Sequence, residues 1–225
     1  MDQDVSKSTD PVAGLPAGTS EAQALIQGLV DIPTLSLAMD FDDFAGPTNG
    51  IYTNSMESGS AWERACSVEL IQGDNSEAWQ ENCGIRVQGG SSRIPSRSPK
   101  HSFSLRFREV YGASRLREEV FPESEVDSFD TLAIRAVYNN SWIHMNSAQR
   151  AAGSLIRDQW ARSTMFDMGN PEAGQGMMVH LYVNGLYWGV HNLTERQEDS
   201  HYADCLLYTS PSPRDQRGSR MPSSA

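Results

Sequence analysis

Met177-Met-Val-His-Leu-Tyr-Val183 and Leu186-Tyr-Trp-Gly-Val-His191 flank Asn184-Gly185, and no other stretch restricts the fold as tightly. Two alternating runs joined by Asn-Gly predict an antiparallel hairpin on a type I′ turn, because both central positions need a positive φ. Pairing Val183 with Leu186 gathers Val179, Leu181, Val183, Leu186, Trp188 and Val190 on one face. Met178, His180, Tyr182, Tyr187, Gly189 and His191 take the other. That division sets the register, since a one-residue slip would expose the whole apolar set.

Upstream, Pro33–Met39 alternates like a strand, and Asp40–Phe44 gives way to a Gly/Pro/Asn loop. Cys66–Ile71 and Cys83–Gln88 read as an antiparallel pair, His101–Phe107 as a third strand and Thr131–Val137 as another. One helix is predicted from Ser147 to Asp167, with Ser147 as N-cap and Gly169 as its stop. Ala152, Leu155, Ile156, Trp160 and Phe166 give it an apolar face. The fold class expected is α+β, a twisted antiparallel sheet with one main packed helix. Residues 1–31, rich in Ser, Thr, Ala, Gly and Pro, read as a disordered leader or linker, and residues 32–204 as the domain. Residues 205–225 turn abruptly Ser/Pro/Arg-rich and resemble translated sequencing-adapter read-through at the end of a metagenomic reading frame. They are expected to be a non-native, disordered tail on an interrupted chain.

The bulk properties exclude several classes. A chain of 225 residues with 38% hydrophobic residues has room for one globular domain. No run of about 18 apolar residues exists, so membrane insertion is not expected. The start, MDQDVSKSTD, lacks the basic and apolar segments of a signal peptide. A formal net charge of −11 argues against nucleic acid as a partner, which needs a broad positive surface. No Cys/His spacing suits a metal, and Asp40, Asp42 and Asp43 fit no calcium-loop template. Cys66 and Cys83 are either a disulfide or two separate core residues.

Against this acidic background, Arg86–Arg108 holds no carboxylate but carries Arg86, Arg93, Arg97, Lys100, Arg106 and Arg108. Lys100 is the only lysine after Lys7. The strip includes Gly89-Gly90-Ser91-Ser92, flexible enough to bring backbone N–H groups against a compact anion. Concentrated cations beside such a loop suit a phosphate.

Gly84-Ile-Arg-Val-Gln-Gly-Gly-Ser-Ser92 followed by Pro99-Lys-His-Ser-Phe-Ser-Leu-Arg-Phe107 resembles the R-x-x-G…K-x-S-x-x-x-x-F segment of the spore-coat-protein-H-like (CotH) kinase family. Leu155-Ile-Arg-Asp158 with Met168-Gly169 is similar to that family's helix ending in Gly, and Val183–Glu195 to its N-G-x-x-x-G-x-x-x-L-x-E hairpin. The resemblance covers residues 32–204. It implies a module like the small lobe of an atypical protein kinase, using ATP and a divalent metal (Mg or Mn) to phosphorylate secreted or coat proteins. Gly89, Gly90 and Ser91 would then lie near the nucleotide phosphates, Lys100 and Arg86 would neutralise them, and Glu195 would sit near the nucleotide edge. The family's catalytic and metal-binding aspartates would lie downstream, in a C-terminal lobe, so this stretch alone is expected to be inactive. An extracellular, cell-surface or periplasmic location of the parent protein is also implied. The competing expectation is a non-catalytic, secreted β-rich binding or adhesion module, supported by the acidic balance, a Cys66–Cys83 bridge and the exposed aromatics Tyr182 and Tyr187.

Overall fold

The computed structural model describes residues 20–73, 77–121, 123–124, 126–170 and 173–197. Within them the elements run α1 (Ser20–Asp31), β1 (Thr34–Ala38), α2 (Phe41–Ala45), β2 (Arg64–Ile71), β3 (Glu77–Gln88), β4 (Ser102–Arg106) and β5 (Thr131–Arg135). They continue through α3 (Ser147–Ala151), α4 (Arg157–Asp167), β6 (Gly176–Val183) and β7 (Leu186–Glu195). The α+β class holds, and every predicted strand is present.

The sheet closes on itself. Its order is β1-β2-β3-β4-β5-β7-β6, and β1 meets β6 in parallel, Thr34 against His180 and Leu37 against Val183. The expected antiparallel sheet is thus present in six of its seven pairings, and the parallel β1–β6 pair closes it into a barrel. Alternate residues of each strand fill its interior: Leu35 and Leu37, Val68 and Leu70, Ile85, Phe103 and Leu105, Leu132 and Ile134, Val179 and Leu181, all at 0–1% exposure. The α2 segment plugs one rim. Asp40 caps it through Asp42 and Asp43 N–H groups (2.8 and 3.3 Å), and Phe44 packs against Tyr52 and edge-on to Trp188.

The final hairpin turns where predicted, with Asn184 at φ 50° and Gly185 at φ 77°. Asn184 Oδ1 also accepts from the Met39 N–H at 2.9 Å, tying the turn to β1. Its face assignment fails part-way, however. Tyr182 pairs with Tyr187 but Leu181 pairs with Gly189, so Trp188 is an extra residue in a bulge. Gly189 supplies the positive φ there, 90°. Beyond the bulge the faces exchange: His191, opposite Val179, is fully buried inside, while Val190 pairs with His180.

Two further expectations are corrected. The single helix over 147–167 is two, α3 and α4. Gly153 lies so close to Asn140 O and Trp142 that any Cβ would meet them at about 3 Å, and Leu155, at φ 59°, donates its N–H to Asn140 O (3.0 Å). That contact outweighs helix continuation. Asn146 rather than Ser147 is the α3 cap, accepting from Gln149 N at 3.0 Å. The packed apolar face is absent: α4 has no buried residue, and Trp160 is 68% exposed. Polar contacts attach α4 instead, including Asn192 Nδ2 donating to Gln159 Oε1 at 2.9 Å. The expected disordered leader ends earlier than residue 31, because Ser20–Asp31 is helical; Leu25, Ile26, Leu29 and Val30 recur at helical spacing, and the Gly28 carbonyl meets His180 Nε2 at 2.8 Å. Residues 1–19 and the tail over 205–225 lie outside the described residues. No described helix is long and apolar enough to cross a membrane.

If the turn closes the hairpin as shown, Asn184→Ala loses both a left-handed-tolerant residue and the bond to Met39. Urea denaturation should then report a loss of about 1–2 kcal/mol, whereas an unchanged midpoint would contradict this role.

Candidate functional site

A cleft of about 730 Å³ opens on the outside of the barrel where β3 ends, β4 begins and β5 ends. Gln88 and Ser102, paired across β3 and β4, lie at its base. Gly89, Gly90 and Ser91 line one side, and the turn Val137–Asn140 after β5 lines the other. Gly89 has φ 121°, and a Cβ there would come within 2.3 Å of Ser92 Oγ, so glycine is required; above Gly90 the space is open. Val137 holds φ 54°, a strained setting for a buried β-branched residue.

The charges in the cleft are arranged around this loop. Arg97 Nη1 donates to Ser91 Oγ at 3.0 Å. Arg135 Nη2 lies 3.4 Å from Asp158, whose other oxygen is 3.2 Å from Arg162. Among the described residues Asp158 is thus the one carboxylate lining the cleft, and it is already shared between two guanidinium groups. Tyr138, Asn139 and Asn140 add polar groups, and buried His144 packs on Tyr138 with centroids 4.5 Å apart while accepting from Asn146 N. Two arginines, serine hydroxyls and a glycine-rich backbone facing 730 Å³ can hold a compact polyanion.

Of the residues singled out in the sequence, the structure brings Gly89, Gly90 and Ser91 to this cleft and sends Arg86, Lys100 and Glu195 elsewhere. Arg86 shares the outer face of β3 with Gln88, but Glu63 holds its guanidinium through two 2.6 Å contacts, with Arg108 on the same carboxylate at 3.4 Å. Lys100 turns inward and donates to the Val190 carbonyl. Burial lowers its pKa from 10.5 to about 8. His191, fully enclosed beside it, is held well below the usual histidine range by burial first and by the Lys100 charge second, against the opposing pull of the Gly189 and His101 carbonyls. His101 meets Ser92 O through Nδ1 at 2.9 Å, so this buried polar seam supports the glycine loop from below. Glu195 lies at the opposite end of the barrel, paired with Leu132 while Asn192 pairs with Arg135 beside the cleft. There it accepts from Ser124 Oγ (2.7 Å) and Gln175 N (3.0 Å).

His180 and His191, expected on one hairpin face, are on opposite faces because of the Trp188 bulge. Among the described residues, no three His, Cys, Asp or Glu side chains converge on a metal-sized site. Tyr182 and Tyr187 are half-buried rather than freely exposed, and Tyr187 OH meets His180 Nδ1 at 3.0 Å. Sequence reasoning missed Arg135 and Tyr138–Asn140. Their only signal was position, an outward arginine and a polar triplet at the end of a strand.

Lys100 gives a pH test with a definite sign. Between pH 8 and 10.5 the unfolded chain keeps a proton that the folded chain has released, so raising pH through that window favours folding. Relative to Lys100→Met, the wild-type protein should gain on the order of 3 kcal/mol across it, at about 1.4 kcal/mol per pKa unit. Parallel stability curves for the two proteins would show that the lysine is not buried in charged form.

A comparison with protein-family models matches residues 85–206 to the family described as CotH kinase protein. No curated protein matches the chain.

Proposed function

The chain belongs to the CotH kinase protein family, and from that premise we propose that it carries the phosphate-binding part of an ATP-dependent phosphotransferase acting on protein substrates. The observation that supports the reading is the cleft beside Gly89-Gly90-Ser91, where Arg97 and Arg135 face a loop whose backbone a ligand can approach closely. Phosphoryl transfer draws mainly on positioning and on neutralising the phosphate oxygens, and guanidinium groups do both through bidentate bonds. In this reading Arg97 and Arg135 neutralise the chain of phosphates, and Gly89 and Gly90 admit it. Lys100 acts from beneath, holding β4 to β7 and thereby the loop.

A triphosphate suits these donors. The described residues do not suit a divalent ion, because Asp158, the one carboxylate among them that lines the cleft, is engaged by Arg135 and Arg162. The proposal therefore stops at binding, and no transfer step is assigned to the described residues. Secretion of the parent and a protein substrate remain part of the same proposal, carried by the family alone.

Calorimetric titration with ATP tests it. Each charge-assisted bond contributes about 1.5–3 kcal/mol, so Arg97→Ala and Arg135→Ala should each weaken binding by roughly tenfold or more. Gly90→Ala should fold normally, Gly89→Ala should not bind, and Lys100→Met should bind within about threefold of wild type, because Lys100 does not line the cleft. Loss of binding in Lys100→Met with both arginine variants unaffected would overturn the assignment of this cleft.

A further inference from the structure

Cys66 on β2 and Cys83 on β3 are directly opposed partners in the antiparallel ladder. Both side chains take the inward face. Cys66 alternates with Val68 and Leu70, and Cys83 with Ile85 and Val87, all of them buried. Their exposures are 5% and 0%, and both thiols are free. Cys66 Sγ donates to the Ser67 carbonyl at 3.3 Å, which leaves the sulfur to accept from its partner. The Cys83 thiol is raised well above its ordinary pKa, first by its hydrogen bond to Cys66 and then by burial, in keeping with their opposed register. Opposed residues of an antiparallel pair have Cα atoms about 4.5–5.5 Å apart, inside the roughly 4.4–6.8 Å span that a disulfide bridges.

We propose that Cys66 and Cys83 are a modification site, closing to an intrachain disulfide that staples β2 to β3 when the chain folds in the presence of a small-molecule disulfide. The exchange is balanced. One cysteine thiolate attacks the small disulfide, forming a mixed disulfide and expelling one thiolate of the oxidant. The second cysteine, deprotonated, then attacks the protein sulfur of that mixed bond and expels the other. Two electrons pass from the cysteine pair to the oxidant, and the two protons finish on its released thiols. Thiols so enclosed exchange slowly in the native barrel, so the bond forms as the strands pair during folding. Its mechanical consequence reaches the cleft, because β3 runs from the staple straight to Gln88 and the Gly89 loop. This inference stands apart from phosphate binding, since it concerns only the ladder and the two sulfur atoms.

The test refolds the full chain from urea in a buffer of reduced and oxidised glutathione, and in parallel with a strong reductant. After acid quenching and alkylation, trypsin releases both cysteines in one peptide, Ala65–Arg86, since no Lys or Arg lies between them. The expected result is that this peptide lacks two hydrogens and carries no alkyl group after oxidative refolding, and that the oxidised protein has a higher urea midpoint than the reduced one. Cys66→Ser and Cys83→Ser should each abolish both differences, and Cys205→Ser should keep them. A doubly alkylated peptide after oxidative refolding, a link to Cys205 instead, or equal midpoints for the two wild-type forms would overturn the proposal. The wild-type comparison stands even if a serine variant does not fold.

Discussion

Barrel closure through the parallel β1–β6 pair is the constraint from which the rest of the molecule follows. Orientations cannot alternate all the way round a ring of seven strands, so at least one neighbouring pair must run parallel. Here six pairings are antiparallel and the β1–β6 seam is the exception. Closure removes both free edges and makes an interior that only side chains can fill. Where a polar residue enters, as His191 does, the bulge at Trp188 and the Lys100 ammonium determine its neighbours.

A filled barrel leaves no room for a ligand inside, and chemistry has to happen on the outside or at a rim. The cleft forms because three strand ends, those of β3, β4 and β5, meet at one rim and continue as loops rather than tight turns. Lys100 belongs to the interior of that rim. Burying an ammonium costs free energy unless a hydrogen bond compensates, and the Val190 carbonyl supplies one. The lysine therefore reads as a latch between β4 and β7, and the cations that face solvent beside the glycine loop are arginines.

Much of this was legible in the sequence. Alternation located every strand from β1 to β7, and Asn184-Gly185 announced its own turn geometry. The bulge was not legible, because Trp188 and Val190 look equally fit for an apolar face and only barrel curvature distinguishes them. The helix break depended on Gly153 approaching Asn140 and Trp142, a contact between segments that no local pattern encodes. For the site, Gly89 and Gly90 were visible as a flexible loop. The solitary Lys100 and the central Arg86 drew attention by rarity and position, yet their partners, Val190 and Glu63, lie far away in the chain and set where each side chain goes. Arg135 was hidden for the converse reason: an outward arginine on a strand is ordinary until a loop from elsewhere faces it.

The central claim is that a polyphosphate is received outside the barrel by the Gly89 loop and the turn after β5. Amide hydrogen exchange, measured with and without a non-hydrolysable ATP analogue, tests it most directly. The account predicts slowed exchange confined to peptides spanning residues 88–97 and 135–141, with residues 190–195 unchanged. Protection centred on the Lys100–Val190 rim with the Gly89 loop unaffected, or no protection anywhere at millimolar analogue, would contradict it.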